Sequence, residues 1–147
     1  MMELTRKGEY AIRAILYLAR QPGGKLSLVG EIAESAGIPR SFLSKILQHF
    51  TRVGLVASFR GMGGGFSLAR DPSRVTLLEV VEAIEGPVLP NRCLTGEGTC
   101  ERDGACRVHE VWRKVRNETV AILAGVTIGE LAGSSEEHVV DAAGKRR

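Results

Sequence analysis

At 147 residues and 44% hydrophobic content, the chain is sized for one compact domain with an arm, and its apolar share excludes disorder throughout. No run of about 18 apolar residues occurs, and Met1-Met2-Glu3-Leu4-Thr5-Arg6 lacks the apolar stretch of a signal peptide, so a cytoplasmic protein without a membrane span is expected. The net charge of +3 conceals an asymmetry: residues 1–75 hold eleven Lys/Arg against five Asp/Glu, and residues 76–147 hold nine against twelve, which makes the first half the candidate for a polyanionic partner.

Thr5 is placed to cap a first helix in which Ala11, Ala14, Ile15 and Leu18 share one face, running to about Arg20. Gln21-Pro22-Gly23-Gly24 breaks it, and Ser27 is expected to open a second, short helix that carries Ile32 and Ala33 and stops at Gly37. Pro39 starts a third helix. Its apolar stripe is Phe42, Leu43, Ile46, Leu47 and Phe50, which leaves Arg40, Ser41, Ser44, Lys45 and Gln48 on the opposite side. Leu55–Arg60 and Phe66–Arg70 then read as two strands of a hairpin, with Gly61-Met62-Gly63-Gly64-Gly65 as the turn. Thr76-Leu77-Leu78-Glu79 is a capping box, and Leu77, Val80, Val81 and Ile84 mark a fourth helix ended by Gly86-Pro87. From Cys106 a long helix carries Val108, Val111, Trp112, Val115, Thr119 and Ile122 along one stripe, and Thr127-Ile128-Gly129-Glu130 caps a short last helix. The small, polar tail from Gly133 is expected to be disordered.

Helix, glycine turn, helix and hairpin in that order define a helix-turn-helix with a wing. The third helix fits a DNA major groove, where Ser41, Ser44 and Gln48 can bond base edges while Arg40 and Lys45 meet phosphates or guanine. Arg60, beside the wing tip, is placed to enter a neighbouring minor groove, and Gly63 and Gly64 let the backbone approach phosphates. A phosphate-cradling nucleotide loop is rejected, because such loops lead into a helix and Phe66-Ser67-Leu68 alternates as a strand.

Cys93, Cys100 and Cys106 are separated by six and five residues in a segment of Gly and charged side chains, and His109 follows three positions after Cys106. Three cysteines cannot all pair within one chain, so metal chemistry is the better reading. On the long helix Cys106 and His109 share a face and can point at one centre. Thiolates with an imidazole suit either an iron-sulfur cluster or structural zinc; zinc sites more often use cysteines two to four apart. A catalytic metal is disfavoured, since it needs an open position with a nearby acid or base in a pocket, and Glu97, Glu101 and Asp103 form no such arrangement. Glu9, near the start of the first helix, is a second candidate for a fourth ligand, reaching across from a partner subunit.

Leu4-Thr5-Arg6-Lys7-Gly8-Glu9-Tyr10-Ala11, Arg60-Gly61 with Gly63-Gly64-Gly65-Phe66, the stretch from Thr76 to Gly86, and the cysteine segment followed by Trp112 together resemble the Rrf-two family of winged-helix regulators, which includes IscR-like and NsrR-like cluster-binding branches. The resemblance implies a homodimer whose long helices pack across a two-fold axis with Val108, Val111, Trp112, Val115 and Ile122 at the interface, presenting two winged helices to a roughly palindromic operator. It also implies that Cys93, Cys100 and Cys106 bind an iron-sulfur cluster, 2Fe-2S or 4Fe-4S. IscR-like members complete such a site with the residue matching His109, and NsrR-like members with the partner's residue matching Glu9; this chain has both.

The expected fold is therefore mainly α with a small β-hairpin wing, a winged helix-turn-helix followed by a long dimerisation helix. Its parts are a DNA-binding region at 1–86, a cluster-binding loop at 87–105, dimerisation and short helices at 106–133, and the tail at 134–147. The expected function is a transcriptional regulator, a repressor whose cluster senses redox, nitric oxide or iron-sulfur status; the alternative is a DNA-binding regulator with structural zinc or no metal.

Overall fold

The computed structural model describes residues 3–96, 101–102 and 105–133; the tail expected to be disordered lies outside them. Helix α1 (Arg6–Arg20) begins where the Thr5 hydroxyl accepts the Gly8 N–H at 3.1 Å, satisfying one of the first-turn donors that a helix cannot pair internally. Its face of Ala11, Ala14, Ile15 and Leu18 is buried, and α1 is the hub on which α2 (Val29–Ala36), α3 (Arg40–Arg52), α4 (Leu77–Glu85) and α6 (Ile128–Gly133) pack.

Helix α2 stops at Gly37, which turns left-handed at φ 66, a conformation that glycine adopts without the Cβ penalty. Pro39 then caps α3 with its fixed φ. Leu43, Ile46, Leu47 and Phe50 are fully buried, but Phe42 of the expected stripe remains 46% exposed. It lies outside the arc of the other four and packs edge-on against Tyr10, with ring centroids 5.8 Å apart.

The wing is an antiparallel pair, β1 (Val56–Phe59) and β2 (Gly65–Leu68), in a register that sets Val56 opposite Leu68 and Phe59 opposite Gly65. Each strand is shorter than the sequence pattern suggested, and Gly65 belongs to β2 rather than to the turn. Ser27 does not open α2 as expected; Leu28 is the cap residue, without a side-chain bond. The Ser27 N–H instead donates to the Phe66 carbonyl at 2.9 Å and its carbonyl accepts from the Phe66 N–H at 2.8 Å, so a fully buried Ser27 forms an isolated bridge to the outer edge of β2.

Both capping boxes form. Thr76 and Glu79 exchange bonds at the start of α4, and Thr127 and Glu130 do so before α6. Glu79 also receives Arg70 Nη1 at 2.9 Å, and this guanidinium is the main cause that holds its carboxyl below the usual glutamate range.

After a short 3-10 turn at Arg92–Leu94, helix α5 (Arg107–Ala124) runs along the body without burying any residue fully. The chain then returns. The Leu77 N–H bonds the Val126 carbonyl at 2.9 Å and the Ile128 N–H bonds the Val75 carbonyl at 2.8 Å, which seats α6 on α1 and places Ile128 in the same core as Val75 and Val80. The architecture is mainly α with a two-stranded wing, and no helix among the described residues is long and apolar enough to cross a membrane.

Candidate functional site

On α3, Ser41, Lys45 and Gln48 are exposed on the side away from the buried stripe, and Ser44 is half-buried at its margin. Arg52 continues their row one turn beyond Gln48 and is also exposed. The spacing 41, 45, 48, 52 could have revealed it. The Arg40 guanidinium lies over Gly30 of α2, where a Cβ would overlap it. Arg40 therefore sits at the seam between the two helices of the helix-turn-helix.

The wing tip is shaped by close backbone approaches. Gly64 donates its N–H to the Gly61 carbonyl at 3.0 Å, and a Cβ on Gly64 would overlap the Phe59 carbonyl oxygen and come within 2.9 Å of that of Gly61. Gly63 adopts φ 77 in open space. Arg60 and Met62 lie at this turn, exposed to solvent.

In the cysteine segment, Cys93 lies in the 3-10 turn, which packs on α5, and Cys106 is the residue capping α5. Both are free cysteines and half-buried, and Cys106 spends no side-chain bond on the cap. His109 lies in the first turn of α5, half-buried, with Nδ1 turned inward from solvent. Cys100 lies outside the described residues. Among the described residues no three metal-ligating side chains are gathered into one group; by type alone, the two soft sulfur donors and the imidazole one helical turn beyond Cys106 are a donor set that fits an iron-sulfur cluster or zinc. Glu9 is exposed in the first turn of α1.

The stripe expected along α5 divides in two. Val108 and Val111 (each 57% exposed) and Ile122 (65%) face outward, with Val115 half-buried beside them. Trp112 and Thr119 are half-buried on the adjoining flank, where Arg116 donates from Nε to the Val88 carbonyl at 3.1 Å and Thr119 and Leu123 line a cleft with Leu77, Val81 and Pro87. The 100° step between residues separates the two sets, since a stripe spread over about four turns drifts around a straight helix.

A helix-turn-helix with a wing, an exposed polar face on its second helix and basic residues at both define a winged-helix DNA-binding protein. Residues 4–134 match the profile of Rrf2, described as an iron-dependent transcriptional regulator. The HTH-type transcriptional regulator IscR of Escherichia coli is 34% identical over 145 residues, covering 99% of this chain and 88% of that protein. Among solved structures, IscR of T. potens superposes with a TM-score of 0.75 at 25% identity, covering 92% of this chain and 90% of that one. CymR, the global cysteine regulator of B. subtilis, superposes at 0.74 and 26%, covering 90% and 98%. The chain belongs to the Rrf2 family of winged-helix transcriptional regulators. Its relatives are regulators and not enzymes, and the chain acts by DNA-binding regulation as they do.

Proposed function

We propose that this regulator is a cytoplasmic homodimer whose grip on a roughly palindromic operator is set by an iron-sulfur cluster, and that it acts as a repressor. Cys93, Cys100 and Cys106 would hold the cluster, with His109 or the Glu9 position of a second copy completing it. The observation that supports the reading is that the turn carrying Cys93 packs on α5, the helix that Cys106 caps and whose first turn holds His109. That helix end presents its positive pole, which favours an anionic centre. Such a group would supply a charge and a geometry that change with oxidation or nitric oxide. The outward row of Val108, Val111 and Ile122 supports dimerisation, because an apolar row left in water favours association. Ser41, Ser44, Lys45, Gln48 and Arg52 would read the major groove, Arg40 would bind backbone phosphate, and Arg60 with the Gly63-Gly64 turn would enter the minor groove.

Anaerobic purification followed by a visible spectrum and iron, sulfide and zinc analysis tests the cofactor. Brown protein with matched iron and sulfide is the expected result, and its loss on replacing all three cysteines by Ala is expected to accompany a change in operator affinity. Colourless protein holding zinc would overturn the sensor and leave a DNA-binding dimer. For the wing, Arg60→Ala is expected to weaken binding and to reduce the slope of log affinity against log salt by about 0.9, the contribution of one neutralised phosphate. An unaltered slope would remove Arg60 from the contacts.

A further inference from the structure

His49 lies in the last turn of α3, half-buried on the flank it shares with Phe42 and Lys45, and its Nε2 is 2.6 Å from the carbonyl oxygen of Ala83 in α4. A carbonyl only accepts, so Nε2 carries the proton and donates. Within α4 the Ala83 carbonyl would be paired by the N–H four residues on, but that residue is Pro87, which has none. Gly86 already donates to Glu82. The imidazole thus fills a vacancy that the sequence of the helix end creates. No requirement of α3 itself explains this bond, since α3 packs mainly on α1, α2 and β1, while α4 packs on α1 and α5.

The end of α4 is also where the chain enters the cysteine segment, and it is held from two further directions. Glu85 accepts from the Thr5 N–H at 3.1 Å and from the Thr5 hydroxyl at 2.5 Å, which ties it to the start of α1. Val88 accepts from Arg116 of α5. One short stretch, 83–88, is therefore bonded to the recognition helix, to α1 and to the long helix. A shift of the cysteine segment moves this stretch, and His49 is its hydrogen-bonded link to the recognition helix.

We infer that His49 is a positioning residue that couples the cysteine segment to the recognition helix through its bond to the Ala83 carbonyl. This rests on the reading that the cysteines control operator binding. A ligand-controlled element can shift a two-state equilibrium only by the free energy that distinguishes its states, so loss of the link appears as a smaller response, not merely as weaker binding.

The test compares operator affinity of the anaerobically purified full chain with that of the form in which Cys93, Cys100 and Cys106 are all Ala. The ratio of the two is measured in the wild-type background and with His49→Phe and His49→Gln. His49→Phe keeps a ring without a donor and is expected to bring the ratio roughly five-fold closer to one, the factor for one neutral hydrogen bond. His49→Gln, whose amide N–H reaches a similar distance, is expected to restore it. A ratio unchanged in His49→Phe, or a Gln variant that behaves as Phe does, overturns the role of His49. A wild-type ratio of one is read from the wild type alone and overturns cysteine control together with the coupling. Nitrogen NMR of the His49 ring keeps the test independent of how the variants fold. Different Nε2 resonances in the loaded and cysteine-free forms are expected, and identical ones overturn the link.

Discussion

Ile128→Ala is expected to destabilise the winged helix by about 2–5 kcal/mol and to lower its melting midpoint by roughly 8 °C or more. Ile128 is fully buried, far along the chain from the helices it touches, and its N–H is bonded to Val75 in the stretch that leads into α4. Truncating it removes the transfer free energy of three carbons and leaves a cavity between α1, α4 and α6 that rigid helices close only in part. Thermal denaturation followed by circular dichroism measures the effect, and operator binding is expected to fall in step with the folded fraction. A variant that melts with the wild type would mean that α6 is not part of the core.

Gly64→Ala is expected to weaken operator binding by about ten-fold or more, with the helical core intact. The added Cβ meets backbone oxygens of Phe59 and Gly61, which belong to the same tight turn and cannot swing aside as a side chain would. The turn must reopen, and Arg60 moves with it. Gly63→Ala meets open space and suffers only from its positive φ of 77, at about 1–2 kcal/mol, so the smaller loss is expected there. Fluorescence anisotropy with an operator duplex ranks the two, and a Gly64 variant that binds as the wild type does would detach the wing turn from DNA binding.

Most of the local structure was legible in the sequence because its causes are local. The Thr5 cap, the two capping boxes, the break at Gly37 and the Leu43, Ile46, Leu47, Phe50 face all depend on residues within a turn or two of one another. What escaped depends on distant partners. Ser27 reads as a helix cap, since serine is favoured there, yet it is taken by Phe66 of the wing, and nothing near Ser27 announces that partner. The docking of α6 on α1 is hidden for the same reason. Trp112 was placed on one stripe with the valines by helical spacing; on α5 it is half-buried toward the flank that carries Arg116, while Val108 and Val111 are exposed. Arg52 differs, because its spacing from Gln48 was in plain view. Of the cysteine segment, the donor types were readable from the sequence, but Cys106 stands as the extended residue before α5 rather than on the helix with His109. The packing of the Cys93 turn on α5 was not readable.

The return of α6 also fixes an order of events during synthesis. Translation delivers Val75 and Val80 long before Ile128, and between them comes the whole of α5. The body of the winged helix therefore stays open on one side while the long helix is still being made, and it closes only when residues 126–133 arrive to bridge back to Thr76. The core is thus completed only after the exposed apolar row of α5 has been synthesised.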